Sequence, residues 1–198
     1  YEIVDGVGII PNGVTAIGDY AFEDCTSLTS VVIPSSVTEI GKNVFSGCAS
    51  LTSIIVEEGN SVYDSREGCN AIIETVTNTL IDACKSTIIP LSITEIRRNA
   101  FSCTSLTSIE IPSSVKMIGW DAFLNCTSLT SVAINGKIKM IDRGTFRGCT
   151  ALESITLPAG VKKIEWDAFE GCTSIKVINV PVKKKDYYIQ RLSEELHS

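Results

Sequence analysis

The chain has 198 residues, of which 44% are hydrophobic and 20% are charged, a composition that excludes a disordered chain and suits a folded protein with a continuous core. Its formal net charge of -6 argues against nucleic acid as a partner, because phosphates attract a basic face. No stretch approaches the roughly 20 apolar residues of a membrane helix, so we expect no membrane insertion of this segment. No secretory signal is visible, although a signal removed earlier would leave no trace.

The sequence repeats at an interval of 22 or 23 residues. The first unit opens at Val14 with the pattern V-x-x-I. Later units open on the same pattern at Val37, Ile93, Val115, Ile138 and Val161. The wide gap between Val37 and Ile93 holds one ordinary and one enlarged unit. The interval predicts one solenoid over residues 1–198, with a partial repeat at 1–13, seven repeats at 14–182, of which one is enlarged at about 60–92, and a terminal cap at 183–198.

Each unit carries one aromatic residue and one alternating segment. The aromatic is always phenylalanine, at Phe22, Phe45, Phe101, Phe123, Phe146 and Phe169. One ring per unit predicts a stacked core of flat coils. In the segment Ser30-Val31-Val32-Ile33, apolar core positions alternate with outward positions, which predicts a strand with one buried face that ends at Pro34. We also expect a shorter extended piece at Val14 to Ile17 and a single helical turn at Asp19 to Asp24.

The spacing Leu28, Val31, Ile33 matches the leucine-rich signature L-x-x-L-x-L, which returns in register in five further units. Together with the A-F-x-x-C-x-S-L pattern, these residues resemble the BspA-like class of leucine-rich repeats over nearly the whole chain. The resemblance implies an α/β repeat, a right-handed solenoid with a parallel sheet on its concave face, short helical turns and extended pieces elsewhere. It also implies surface or exported proteins of host-associated bacteria, several of which are described as adhesins.

The enlarged unit departs from the repeat. Its middle reads as a hairpin that turns near residues 75–77, and two interpretations stay open: the hairpin widens one coil, or its tip projects as a contact loop. A hairpin centred there would set Cys69 opposite Cys84, which leaves either a disulfide or two free thiols.

The other six cysteines fall in one column of the repeat, at Cys25, Cys48, Cys103, Cys126, Cys149 and Cys172. Stacked neighbours hold their Cβ bonds parallel, so we expect a ladder of buried free thiols. A linear column cannot converge on a metal, and the single histidine, His197, has no nucleophile beside it. Acidic residues such as Glu110, Asp121 and Glu165 lie in different columns. The sequence therefore predicts no enzyme, no catalytic residues, no metal and no cofactor.

Two surfaces are candidates for binding a protein partner. The first is the outward side of the predicted sheet, which is small and lightly charged: Ser30, Val32, Ser53, Ile55, Ser108, Glu110, Ser131, Ala133, Ser154 and Thr156. The second is the column that brings Trp120, Arg143 and Trp166 together, with Arg143 placed to stack between the rings. The alternatives are that the small residues only keep the sheet soluble and that the stack is only local stabilisation.

After Pro181 the pattern ends, and Asp186 with Tyr188, Ile189, Leu192 and Leu196 predicts a helical cap over the open solenoid end. With the resemblance, the sequence thus implies a monomeric, non-enzymatic adhesion module of a bacterial cell-surface or secreted protein, whose partner is a host matrix or microbial surface protein. The alternatives are an intracellular interaction scaffold or a passive spacer.

Overall fold

The computed structural model of the chain describes residues 1–180, which contain seventeen strands. In chain order they are β1 Glu2–Val4, β2 Val7–Ile9, β3 Ala16–Ile17, β4 Ser30–Ile33, β5 Glu39–Ile40, β6 Ser53–Val56, β7 Tyr63–Asp64, β8 Ala71–Glu74, β9 Thr79–Ala83, β10 Glu95–Ile96, β11 Ser108–Ile111, β12 Met117–Ile118, β13 Ser131–Ile134, β14 Met140–Ile141, β15 Ser154–Thr156, β16 Lys163–Ile164 and β17 Val177–Asn179. One 3₁₀ segment, Arg66–Gly68, lies in the enlarged unit.

The longer strands stack in parallel, one per coil. β2, β4 and β6 form one sheet, to which β1 adds antiparallel at the N-terminal edge, and β11, β13, β15 and β17 form another. The register is one whole repeat, as in the pairing of Ser131 with Ser154. Val31 and Ile33 are buried, whereas Ser30 and Val32 are not. The predicted alternation and the stacked parallel sheet are confirmed.

The two-residue strands form a second parallel side of the coil. β3 pairs with β5, β14 pairs with β16, and β10 pairs both with β12 and with the first two residues of the longer strand β9. Each of these two-residue strands ends on a buried isoleucine, as at Ile17 and Ile96. The shorter extended piece predicted near Val14 to Ile17 is therefore present, at Ala16–Ile17.

The helical turn predicted from Asp19 to Asp24 is wrong. Tyr20 and Asp24 have φ values of 59° and 56°, in the left-handed region, which a right-handed helix does not contain. The backbone N–H groups of Tyr20, Phe22 and Asp24 instead donate along the solenoid axis to the carbonyls of residues 42, 44 and 46 in the next coil. This third side is thus a ladder of turns, and its backbone is satisfied between coils.

The phenylalanine column forms the predicted stack. Successive ring centroids lie 5.5 Å apart for Phe22 and Phe45, and 4.8 to 5.4 Å apart from Phe101 to Phe169, with nearly parallel planes. Tyr1 extends the stack beyond Phe22 at 5.2 Å. The rings divide into two runs, one on each side of the enlarged unit.

The cysteine column is a ladder of hydrogen-bond donors. The thiols of Cys48, Cys126, Cys149 and Cys172 are buried, and each donates to the carbonyl of the phenylalanine in the coil before it at 2.9 to 3.1 Å. Placing Cys103 in this column is wrong. Its unit is one residue shorter, so Thr104 takes the column position and donates to the Phe101 carbonyl at 2.8 Å, while Cys103 lies part-exposed at a φ of 57°.

The enlarged unit forms the predicted hairpin, β8 and β9, which turns at residues 75–78. Both faces of this hairpin are buried. Ile72 and Ile81 pack into the core of the preceding coils, whereas Ile73 and Leu80 pack into the core of the following coils. The hairpin is thus a septum between two cores, and only its tip projects, with Val76 87% exposed.

Cys69 and Cys84 flank the septum as free thiols. Cys69 packs into the core on the C-terminal side, and Cys84 into the core on the N-terminal side. The Cys84 thiol donates to the carbonyl of Asn70 at 3.4 Å. Of the two alternatives for this pair, the structure has the two free thiols.

The septum and the coil after it also supply partners for the backbone of the preceding coil. The Asp82 carboxyl, 5% exposed, lies beside the backbone N–H groups of Val44 and Phe45, and the guanidinium of Arg97 donates to the carbonyls of Ile40 and Gly41. Burial raises the pKa of Asp82 to about 7, although the neighbouring N–H groups and Arg97 oppose the shift. The helical cap predicted around Asp186 to Leu196 lies outside the described residues.

Exposure should divide the eight thiols into two classes. Cys25 and Cys103 are part-exposed, whereas the other six are buried, and burial raises the pKa of Cys48 to about 12 and of Cys69 to about 11. Iodoacetamide at pH 8 should therefore modify two thiols of the native chain and all eight in denaturant, as counted by intact mass. A Cys25→Ser/Cys103→Ser double variant should stay unmodified while native, and fast modification of Cys149 would contradict the buried ladder.

Asp82 should make stability fall as pH rises. An unfolded aspartate has a pKa near 4, so between about pH 4 and pH 7 only the unfolded chain loses this proton, and the free energy of unfolding should decrease by about 1 kcal/mol per pH unit. Above pH 7 the contribution is constant. Asp82→Asn should remove this slope in urea titrations, whereas Glu58→Gln, at an exposed acid, should keep it. An unchanged slope in Asp82→Asn would contradict the assignment.

Candidate interaction surfaces

The sheet face consists of the outward side chains of β2, β4, β6, β11, β13, β15 and β17. It contains all ten predicted residues of the first candidate surface. Ser30, Val32, Ser53 and Ile55 lie in the N-terminal sheet, and Ser108, Glu110, Ser131, Ala133, Ser154 and Thr156 lie in the C-terminal sheet. The register places them in two rows along the axis, one of which is almost entirely serine. The sheet face is broad and part-exposed, and Glu110 is its one charged member among the described strands.

The second row changes character along the axis. In the N-terminal sheet it is apolar, since Val32 and Ile55 are 41% and 49% exposed and Ile9 precedes them at the edge. In the C-terminal sheet it is Glu110, Ala133 and Thr156. Ile9 was not among the predicted residues, although it lies one repeat before Val32.

The two sheets do not meet. Residues 86–91 occupy the coil between them but form no strand, and a groove with a volume of about 380 Å³ lies between this segment and β11. Its walls include Ile88 and Leu91, which are 74% and 76% exposed, together with Ser108 and Glu110. Ile88 and Leu91 were not predicted. The sequence did carry a signal for them, because two large apolar residues flank the core isoleucine of an irregular unit.

The tryptophan column forms two separate pairs. The guanidinium of Arg143 lies 6.0 Å from the ring centre of Trp166, and that of Arg98 lies 5.7 Å from Trp120. Stacking of Arg143 between both rings is therefore wrong, because Arg98 in the coil before is the cation that covers Trp120. Both tryptophans keep about half of their surface exposed.

Below this column lies a small charge network. Asp167, whose side chain is 1% exposed, accepts a hydrogen bond from the Gly144 N–H at 3.2 Å and pairs with Arg143 and Arg147 at 3.8 and 3.7 Å. Arg147 also pairs with Asp121 at 3.2 Å. Desolvation raises the pKa of Asp121, and the charge of Arg147 opposes the shift. The network ties three coils together at the base of the tryptophans.

Within residues 1–180 no group of three histidine, cysteine or acidic side chains is placed to hold a metal ion. His197 lies outside this range. Glu165 contacts the ammonium of Lys163 in its own coil. No helix in the described part of the chain is long and apolar enough to cross a membrane.

Comparison with known proteins identifies the repeat. A family model, described as a BspA type leucine rich repeat region, matches residues 8–76 and 74–191 in six copies. None of the curated proteins is similar to this chain in sequence.

Solved structures share the architecture. A leucine rich cell surface protein from Faecalibacterium prausnitzii A2-165 is 30% identical, with a TM-score of 0.69 over 90% of this chain and 54% of its own length. A leucine-rich repeat protein from Bacteroides ovatus ATCC 8483 is 29% identical, with a TM-score of 0.60 over 85% of this chain and 41% of its own. The pneumococcal vaccine antigen PcpA is 24% identical, with a TM-score of 0.70 over 85% and 42%. The chain therefore spans about half the length of these proteins.

The charge network should stabilise the fold more than the cation-π pair does. Arg98→Gln removes an exposed contact with Trp120 outside the network and should lower the free energy of unfolding by less than about 1 kcal/mol. Asp167→Ala leaves the Gly144 N–H without its acceptor and should cost about 1–3 kcal/mol. Urea denaturation of both variants measures the difference, and an equal loss would contradict this order.

Proposed function

Because the chain belongs to the BspA-type leucine-rich-repeat family, we propose that it is a non-enzymatic protein-binding module of a bacterial cell-surface or secreted protein. The partner in this proposal is a host matrix protein or a microbial surface protein. A cell surface protein and a vaccine antigen among the structures that it resembles support the location.

The observation that carries the proposal is the sheet face itself. Three strands of one sheet and four of the other display small or aliphatic side chains at a spacing of about 4.8 Å within each sheet, so the face is wide and poor in charge. Val32 and Ile55 offer apolar contact on one half, and the serine row offers hydroxyl groups along its length. Such a surface suits a protein or a peptide better than a small molecule, which needs an enclosed pocket.

We keep the tryptophan column as a second candidate contact surface. Trp166 is 60% exposed, and exposed tryptophans beside arginine are common anchors of interfaces. In this proposal residues 1–198 form one solenoid that binds as a monomer. An intracellular scaffold and a passive spacer are the competing functions, and a signal peptide or lipoprotein cysteine upstream of Tyr1 in the full gene would favour the surface module.

A single arginine on the sheet face should abolish binding. The chain is immobilised and a panel of purified extracellular matrix proteins is passed over it. A matrix protein that binds the wild-type chain should not bind the Ala133→Arg variant, because a long charged side chain in the middle of the C-terminal sheet prevents close contact. Ser128→Arg, at an exposed turn away from the sheet, is the matched control and should bind normally.

Unchanged binding by Ala133→Arg would exclude the C-terminal half of the sheet face. Loss of binding in Trp166→Ala, with the stability kept, would move the contact to the tryptophan column. If no matrix or bacterial surface protein binds the wild-type chain, the spacer function is favoured.

A further inference from the structure

β11 is an uncapped strand edge on the sheet face. Thr130 and Asn135 of the next coil donate their N–H groups to the carbonyls of Thr107 and Ile111, so these residues face β13. Backbone groups alternate between the two edges of a strand, which directs the N–H and C=O groups of Ser108 and Glu110 into the groove. In the described chain no backbone hydrogen bond joins them to residues 86–91.

The other wall of the groove, segment 86–91, forms hydrogen bonds with residues 69 and 70 and not with β11. The Ile88 N–H donates to the carbonyl of Cys69, and the hydroxyl of Thr87 donates to the carbonyl of Asn70. Pro90 follows and has no N–H. Segment 86–91 is therefore anchored to the septum, and the groove is a built gap in the sheet.

The other strand edge at this gap is treated differently. The N–H of Val56, at the end of the N-terminal sheet, donates to the side-chain oxygen of Ser65 at 3.0 Å. The enlarged unit thus satisfies one N–H at the end of β6, whereas among residues 1–180 no such bond reaches Ser108 or Glu110 of β11. A free row of backbone groups is the feature that recognises an extended peptide by strand addition.

The side chains around β11 define what such a peptide would carry. Ile88 and Leu91 form an exposed apolar wall, and Ile89 and Ile109 lie beneath. Glu110 stands at the rim, where Asn135 donates to one of its oxygens at 2.7 Å, and it forms no ion pair with any residue of the described chain. An alternating peptide would place its aliphatic side chains in the groove and its basic side chains beside Glu110.

We propose that the groove beside β11 binds an extended peptide segment of alternating aliphatic and basic residues, which pairs with β11 as an added strand. The proposal deepens the proposed function and rests on it, since the groove is part of the sheet face. In this proposal the backbone groups of Ser108 and Glu110 supply the binding affinity, and the carboxylate of Glu110 selects a basic partner.

The test titrates the full chain with a capped six-residue peptide of alternating valine and lysine. Binding should shift the NMR signals of the Ser108 and Glu110 amides and slow their hydrogen exchange. A peptide methylated on the backbone nitrogens that face β11 should not bind. Glu110→Lys should weaken binding by about fivefold or more and should restore it for a peptide of alternating valine and glutamate. Glu58→Lys, which makes the same charge change at an exposed site, should bind like the wild type.

The proposal that the groove binds a peptide would be overturned by absence of binding, by equal binding of the methylated peptide, or by an unaffected Glu110→Lys variant. Dimerisation of the free chain through β11, seen as a concentration-dependent mass in sedimentation, would overturn it as well. If the peptide does not bind but Ala133→Arg still abolishes binding of a matrix protein, only the proposal for the groove is wrong. If the peptide binds and Ala133→Arg has no effect on a matrix protein, the wider proposal is wrong.

Discussion

The structure depends on one constraint, which is that a coil cannot satisfy its own backbone. A flat loop of about 23 residues buries its side chains inward, so many of its N–H and C=O groups point up and down the axis and find their partners in the neighbouring coils, while tight turns satisfy others within the coil. On the sheet side, the short-strand side and the turn side, these bonds join residues one repeat apart, as between Asp121 and Arg143. Any residue that the bonds place in a column therefore shares its environment with its neighbours, which explains why the phenylalanine is the same in every regular unit.

An insertion leaves backbone groups unsatisfied in such a fold, because it separates a coil from the neighbour that would form hydrogen bonds with it. Side chains compensate for this on two sides: Asp82 of the septum and Arg97 of the next coil lie beside backbone groups of the preceding coil, and Asn60 donates to the carbonyls of Pro34 and Val37. On the sheet side Ser65 satisfies only the Val56 N–H of β6, and segment 86–91 forms no backbone hydrogen bond with β11. The groove lies where these bonds between coils are missing.

Periodicity predicted the columns well. The core positions of the strands, the phenylalanine stack and the outward residues of the sheet face all follow from a period of two inside a period of 23. The helical turn was wrong because Tyr20 and Asp24 adopt left-handed backbone, and a signal was present in the same column, where Asn43, Asp121 and Gly144 are types that tolerate positive φ. The two-sided burial of the hairpin also had a signal, the consecutive apolar pair Ile72 and Ile73. The apolar wall of the groove had a signal in Ile88 and Leu91, but the free edge of β11 had none, since it arises from hydrogen bonds that two coils do not make.

The short unit around Thr104 shows what the solenoid tolerates when it changes in length. This unit is one residue shorter, so the cysteine lies outside the column and Thr104 takes its position. The Thr104 hydroxyl donates within its own coil to the Phe101 carbonyl, which also accepts the Cys126 thiol of the next coil. The column position thus holds either a thiol that bonds between coils or a hydroxyl that bonds within one. A lineage of such repeats is free to drift in coil length and to exchange thiols for hydroxyls, so the susceptibility of the column to oxidation can change from one relative to the next while the architecture stays the same.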